Sequence, residues 1–163
     1  MKFLKINLKK IMQIYFIFWL MPILVIIVNL ILGIDEVARN NIMVDINFQK
    51  IILRNLTVML SLIVLGIVHN KAPYILYLYN SLQFSIILSI SLESIGFIQT
   101  IVRVIPHGLI EIFALSLATL IGTRLKEDMK NMDYYRSVFL GIVILFIAAL
   151  IETFITPVLV NLL

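Results

Sequence analysis

The strongest indication of the fold is residues 11–32, IMQIYFIFWLMPILVIIVNLIL. These 22 consecutive residues carry no charged side chain. About 20 apolar residues in a helix cross the roughly 30 Å hydrocarbon core of a bilayer. The run is too long for the apolar region of a signal peptide, and no small-residue cleavage site follows it. It therefore predicts an uncleaved membrane-spanning helix, in which Pro22 and Asn29 are tolerable interruptions.

The rest of the chain has the same character. Of its 163 residues, 62% are hydrophobic and 13% are charged, and the mean hydropathy is +1.10. A soluble domain carries about 25% charged residues, so this chain needs lipid as its solvent. Four further apolar segments lie at residues 51–68, 74–92, 104–125 and 137–162. The sequence thus predicts an all-α, polytopic integral membrane protein with about five transmembrane helices in a single domain over residues 1–163.

The connections between these segments differ in kind. Residues 35–50 are polar with a few apolar positions, which indicates a short helix lying on the outer membrane surface. Residues 69–73 form a tight turn whose Pro73 suits the first turn of the next helix. Residues 93–103 are expected to form a short, partly interfacial loop, and residues 126–136 a charged connection.

Positive charges predict the orientation, because cytoplasmic loops are enriched in lysine and arginine. Nine of the 13 cations fall on the side of the N-terminus in a five-helix arrangement. The other four are Arg39, Lys50, Arg54 and Arg103, and Arg54 is close enough to a helix end to snorkel. The N-terminus is therefore predicted to be cytoplasmic and the C-terminus external.

Several function classes are excluded by composition. The chain has no cysteine, so disulfides, thiolate metal sites and cysteine nucleophiles are absent. No basic cluster is interleaved with aromatic residues, which argues against nucleic acid as a partner. No nucleotide-binding motif is present, so any ATPase would be another polypeptide.

Ionisable residues within the apolar segments are the candidates for function, because burying one without a partner is costly. Arg103, His107 and Glu111 follow one another at four-residue spacing and so share one helical face. Glu152 stands alone in the last segment. Glu111 is about 10 Å and Glu152 about 15 Å from the expected external ends of their helices. The two carboxylates are therefore predicted to lie at a similar depth in the outer half of the bilayer.

Three interpretations of His107, Glu111 and Glu152 remain open. In the first, the side chains hydrogen-bond with each other and with a neighbouring helix and fix the packing of the bundle. In the second, they bind a divalent metal such as zinc, with a position left open for water. In the third, a buried carboxylate acts as a general acid or base oriented by the imidazole.

Small residues recur at four-residue spacing on the third, fourth and fifth segments, where they let helix backbones approach closely. We therefore expect these three helices to form the compact centre of the bundle. The residues are Ser81, Ser85 and Ser89 on the third segment, Ala114, Ala118 and Gly122 on the fourth, and Gly141, Ala148 and Ala149 on the fifth.

Two motifs resemble a known family. The fourth segment contains PHGLIE at residues 106–111, followed by Ala114, Ala118 and GTRL at residues 122–125. The last segment contains ALIETFITP at residues 149–157. Together they resemble the stage II sporulation protein M family, over roughly residues 50–160. A departure from that family is Ser81 and Ser85, where its third helix favours glycine.

The resemblance implies a function in the membrane. Short members look like the membrane protein encoded with circular bacteriocins, which is implicated in maturation and export of the precursor. That resemblance implies the bacterial cell membrane as location, and lipid, a hydrophobic peptide precursor and an ABC-type ATPase or other membrane subunits as partners. A peptidase or cyclase would use His107, Glu111 and Glu152.

Three further residues are candidates for substrate binding. They are Arg103, which could grip a carboxylate or stabilise an oxyanion, together with Asn80 and Glu93. Asn80 and Gln83 could instead supply hydrogen bonds between helices. The alternative function is a non-catalytic scaffold subunit of an exporter or of a sporulation wall-remodelling complex. A third, an ion or proton pathway, has thin support, because one cluster in one leaflet does not continue across the membrane.

Overall fold

The computed structural model describes residues 2–32 and 47–162, and within those ranges the chain is helical and contains no strand. Five helices are long and apolar enough to cross a membrane, which confirms the predicted all-α, five-span architecture. The elements are α1 (Lys2–Leu32), α2 (Phe48–Val68), α3 (Ala72–Ile95), α4 (Phe97–Thr123), α5 (Leu125–Asp128), α6 (Met132–Leu150), a π-helical turn (Ile151–Ile155) and α7 (Thr156–Asn161). The last three of these form one span, Met132–Asn161.

The helices are longer than the apolar segments that predict them. The loop expected at residues 93–103 is wrong, because α3 continues to Ile95 and α4 begins at Phe97. The chain reverses at Gly96 alone, whose φ of 81° lies in the left-handed region that glycine adopts without strain. The connection expected at residues 126–136 is also partly helical, since α5 and the first turn of α6 occupy most of it.

The surface helix expected within residues 35–50 falls largely on residues 33–46, which lie outside the described part of the chain. The final residues of that stretch are described and belong to α2. Asn47 caps this helix, because its side-chain oxygen accepts hydrogen bonds from the backbone N–H groups of Gln49 and Lys50, at 2.9 and 3.3 Å.

Helix α4 lies at the centre of the bundle. It packs against α1, α2, α3 and α6, and these four surround it because α2 also contacts α3 and α6, and α1 contacts α3 and α6. Each span contains a most apolar stretch of 18 residues. In α4, 56% of that stretch is buried, whereas in each of the other four spans the buried share is 22%. The expectation that the third, fourth and fifth helices form the centre is therefore wrong for the third and fifth, which lie on different sides of α4.

Helices α2 and α4 cross in direct backbone contact at two glycines. A Cβ atom on Gly66 would lie 1.9 Å from the backbone oxygen of Gly122, and one on Gly122 would lie 2.3 Å from the backbone oxygen of Leu62. No side chain fits at either position. The structure confirms the predicted small-residue face of α4, since Ala114 and Ala118 are fully buried. At Gly122, this face packs against α2.

A proline explains the contact between α1 and α3. Pro22 has no backbone N–H, so the carbonyl of Phe18, four residues earlier, lacks its helical donor. The Ser81 hydroxyl of α3 donates to that carbonyl at 2.6 Å, and Ser81 is fully buried. A serine at this position thus satisfies a backbone group that glycine would leave unsatisfied in lipid.

The last span changes its geometry around Glu152. The backbone N–H of Thr156 bonds to the carbonyl of Ile151, five residues earlier, which closes a π-helical turn. Pro157 follows directly, and a proline ring clashes with the carbonyl four residues before it. The wider turn relieves that clash and sets the direction of the Glu152 side chain toward α4.

Candidate functional site

The three predicted catalytic residues meet within one group of polar side chains, which we term the polar cluster. Helix α4 contributes His107 and Glu111 at the centre of the bundle. Helix α2 and the last span approach α4 from different sides and supply the remaining members. The polar cluster consists of Arg54, Asn55, His107, Glu111, Glu152 and Thr156.

Glu111 is held by α2. The Asn55 side chain is a polar partner of its carboxylate, and the charges of Arg54 and Glu152 both act on it. Asn55 is only 6% exposed and lies on the buried stripe of α2. Arg54 also acts on Glu152. One guanidinium therefore interacts favourably with two carboxylates from two other helices.

His107 is held by the last span. Its Nδ1 atom lies 3.4 Å from the Thr156 hydroxyl, and its Nε2 atom lies 3.9 Å from Oε2 of Glu152. The Thr156 hydroxyl donates to the carbonyl of Ile151 at 3.2 Å, so it accepts from Nδ1 of His107. Nε2 and the facing carboxylate then need one shared proton to attract each other. The partners of both His107 and Glu111 therefore lie on other helices.

The charges of the polar cluster nearly balance. Arg54 contributes one positive charge, and Glu111 and Glu152 contribute two negative charges when both are ionised. The proton that the contact between His107 and Glu152 requires brings the sum to zero. Because an unpaired charge in hydrocarbon is expensive, this balance explains how so many ionisable groups are accommodated between apolar helices.

The structure gives the metal hypothesis no support. Among residues 2–32 and 47–162, no group of three His, Asp or Glu side chains is arranged to hold a metal ion. His107 and Glu152 contact each other, the charge of Glu152 acts on Glu111, and the positive charge that acts on both glutamates is that of Arg54 rather than of a divalent ion such as zinc.

The predicted substrate-binding residues are dispersed. Asn80 joins the site, since it lines a cavity of about 70 Å³ together with Arg54, Asn55 and Glu111. Glu93 does not, because it lies near the end of α3 and accepts a hydrogen bond from Ser89 at 3.5 Å. Arg103 lies one turn before His107, and its buried Nε atom has no hydrogen-bond partner.

Sequence reasoning missed three members of the polar cluster. Thr156 gave no signal, because threonine is common in membrane helices. Asn55 could have been found from the sequence, because it shares the buried stripe of α2 with Met59 and Leu62 and is polar where these neighbours are apolar. We expected the Arg54 side chain to extend toward the membrane surface. Its effect on both glutamates could not be predicted, because that effect depends on the packing of α2 against α4.

Comparison with known proteins identifies a family and one distant relative. The family model described as stage II sporulation protein M matches residues 15–157. An uncharacterized protein of Methanocaldococcus jannaschii is 25% identical over 132 residues, which cover 70% of this chain and 73% of that protein. No solved structure matches. Because the family model spans all five membrane helices and the whole polar cluster, the chain belongs to the stage II sporulation protein M family.

Proposed function

We propose that this protein is a non-catalytic membrane subunit that supports the maturation and export of a hydrophobic, bacteriocin-like peptide in the bacterial cell membrane. The observation that carries the non-catalytic role is the internal balance of the polar cluster. Arg54 acts on both glutamates, Asn55 is a polar partner of Glu111, and His107 contacts both Glu152 and Thr156. Groups that satisfy one another across three helices fix the register of a bundle.

The outer surface supports a hydrophobic partner. The four helices around α4 leave most of their apolar residues unburied within the chain. Large exposed side chains such as Phe139, Phe146 and Phe154 lie along the last span. This surface suits lipid, a hydrophobic peptide or another membrane subunit. The resemblance of short family members to the protein encoded with circular bacteriocins favours a peptide.

Export needs a source of energy that this chain does not supply. The sequence carries no nucleotide-binding motif, so a separate ABC-type ATPase would provide it. The positive charges of α5 and its neighbours lie on the side predicted to be cytoplasmic, where Lys126 and Lys130 are exposed. An ATPase subunit would dock on this side. The family name suggests a role in sporulation, and the partner assembly would then be a wall-remodelling complex instead of an exporter.

A catalytic role is the second candidate, and one observation favours it. Nε2 of His107 lies 3.9 Å from Oε2 of Glu152, and the charge of Glu152 acts on Glu111, so groups able to serve as base and acid occur together. Arg103 has an unused N–H one turn away, which could grip a carboxylate or an oxyanion. Peptide-bond cleavage or ligation would use these groups.

Isosteric substitution separates the two roles. Glu111→Gln keeps a side-chain carbonyl of the same shape next to Asn55 and removes one charge and one titratable group from the polar cluster. We expect it to fold and to support processing within about twofold of wild type. Removal of a general acid or base lowers a rate by about 10²- to 10⁴-fold. Glu127→Gln, an exposed carboxylate outside the span, is the matched control.

The assay uses the purified protein in liposomes with precursor peptide, the ATPase subunit and the separate enzyme that processes the precursor, with and without a chelator. His107→Ala is examined in parallel, after its assembly has been checked by size-exclusion chromatography. Processing that a chelator leaves unchanged, and that folded Glu111→Gln retains, supports the non-catalytic role. A loss of 100-fold or more in a folded Glu111→Gln protein would reject it in favour of catalysis.

A further inference from the structure

A cavity of about 70 Å³ lies against α4 between α2 and α3, and its lining combines polar and apolar side chains. Glu111 and Asn55 form its inner polar wall, and both belong to the polar cluster. Asn80 and Gln83 of α3 add two carboxamides on the opposite side. Phe18, Phe84 and Ile87 supply apolar surface around them.

The cavity lies within the membrane-spanning part of the bundle. Glu111 is 14 residues into α4, which places it about 20 Å along a helix of 27 residues. Gln83 is 11 residues into the 24 residues of α3. Both positions are near the middle of their helices. Polar side chains at this depth need partners, because the lipid around them offers none.

The cavity opens at the outer surface of the bundle. Gln83 and Arg54 are exposed, and Asn80 is partly exposed. Each carboxamide of α3 uses an N–H within its own helix: Asn80 donates to the carbonyl of Leu76 at 2.9 Å, and Gln83 donates to the Tyr79 hydroxyl at 2.7 Å. Their carbonyl oxygens are the groups that can accept a bond from a ligand.

Charge and size restrict the ligand. Arg54 and the proton between His107 and Glu152 together balance the two carboxylates, so a phosphate or an ammonium group would add an unpaired charge within the membrane. A volume of about 70 Å³ suits one small polar group. A neutral group that both donates and accepts hydrogen bonds, attached to an apolar body, fits the lining. A carboxamide side chain of a hydrophobic peptide has this chemistry.

We propose that this cavity is a lateral binding site for a carboxamide side chain, asparagine or glutamine, of a hydrophobic peptide embedded in the bilayer. The peptide packs against Phe84 and Ile87 from the lipid side and places its carboxamide between Gln83 and the inner polar wall. The assignment of the ligand to a peptide rests on the proposed function. The cavity, its opening at the surface of the bundle and its balance of charge are independent of the proposed function.

The test uses two synthetic 20-residue leucine-rich helical peptides that differ only in a central asparagine or leucine. A dye is attached to the protein at Glu127→Cys, which is possible because the chain has no other cysteine. Energy transfer to acceptor-labelled peptide in phosphatidylcholine vesicles then measures binding. We expect the asparagine peptide to bind about 3- to 10-fold more tightly, the range expected of a hydrogen bond between membrane helices.

Two variants tie the preference to the cavity. Gln83→Leu and Asn80→Leu should each bring the ratio of the two affinities toward one. Thr57→Val removes an exposed hydroxyl that bonds within α2, outside the cavity lining, and should leave the ratio unchanged. Gln83 is exposed, so its replacement is not expected to affect folding.

Equal binding of the two peptides to the wild-type protein would overturn the proposal, as would a preference that both cavity variants retain. The measurement needs neither an ATPase nor processing. Failure of maturation in the liposome assay therefore leaves this site intact, and failure of the peptide preference leaves the proposed subunit role intact, because the rest of the apolar surface could still bind a precursor.

Discussion

The hydrogen bond from Ser81 to the carbonyl of Phe18 should stabilise the bundle only because Pro22 is present. Pro22 removes the N–H that would otherwise satisfy this carbonyl, and the Ser81 hydroxyl replaces it at 2.6 Å. Ser81→Ala would leave the carbonyl without a donor in an apolar interior. In the Pro22→Ala background, the new backbone N–H supplies the donor, and loss of the hydroxyl should matter much less.

The magnitude follows from the burial of the bond. An unsatisfied buried polar group costs about 1–3 kcal/mol, whereas hydrogen bonds between membrane helices contribute about 0.6 kcal/mol on average and about 1.7 at most. Ser81 is fully buried and its acceptor has no other helical donor, so we expect Ser81→Ala to lower the free energy of unfolding by about 1–2 kcal/mol. In the Pro22→Ala background the same substitution should lower it by less than about 0.5 kcal/mol, a coupling near 1 kcal/mol.

Trp19 provides the assay. It is the only tryptophan, and its ring lies 6.0 Å from that of Phe84 on α3, so its fluorescence reports the separation of α1 from α3. Unfolding of the four proteins in mixed micelles with increasing dodecyl sulfate measures the cycle. Ser85→Ala is the control, since Ser85 is equally buried but donates to the carbonyl of Ser81 within its own helix. If the effects of Ser81→Ala and Pro22→Ala on the free energy of unfolding add within about 0.3 kcal/mol, the Ser81 hydroxyl does not replace the donor that Pro22 removes.

Two further predictions concern packing and orientation. Gly66→Ala should prevent stable assembly, because its Cβ would lie 1.9 Å from a backbone oxygen, whereas Gly108→Ala meets only a side-chain atom at 3.6 Å and should be tolerated. Size-exclusion chromatography of the two purified variants compares them, and a monodisperse Gly66→Ala protein would contradict the crossing. Gln49→Cys should react with an impermeant maleimide from outside the cell and Glu127→Cys only after the membrane is opened, as the charge bias predicts. The reverse pattern of labelling would invert the predicted orientation.

The candidate site was predicted in part. His107 and Glu111 could be assigned to one face of one helix, because helical spacing is a local property of the sequence. The similar depth of Glu152 followed from counting residues to the ends of two helices. The contribution of α2 could not be predicted, since nothing local shows that Asn55 and Arg54 face the same residues of α4.

The error at residues 93–103 has a similar cause. Glu93, Ser94, Gln99 and Arg103 are polar, and such a run between two apolar segments is typical of a loop. In the structure they continue two helices, and one glycine with a positive φ makes the whole reversal. Composition shows where a chain leaves the hydrocarbon, but it does not show where the helical hydrogen bonds end.

Local sequence was sufficient to predict five helices long and apolar enough to cross a membrane, which the described residues confirm, because transfer of about 20 apolar residues into lipid depends only on those residues. Motifs on two helices also indicated the family, which the family model confirms. Three features became visible only in the packed structure: the central position of α4, the two glycines that bring α2 against it, and the interaction of Arg54 with both Glu111 and Glu152. These depend on contacts between residues far apart in sequence, where backbone spacing and charge balance select one arrangement among several that hydrophobicity alone would allow.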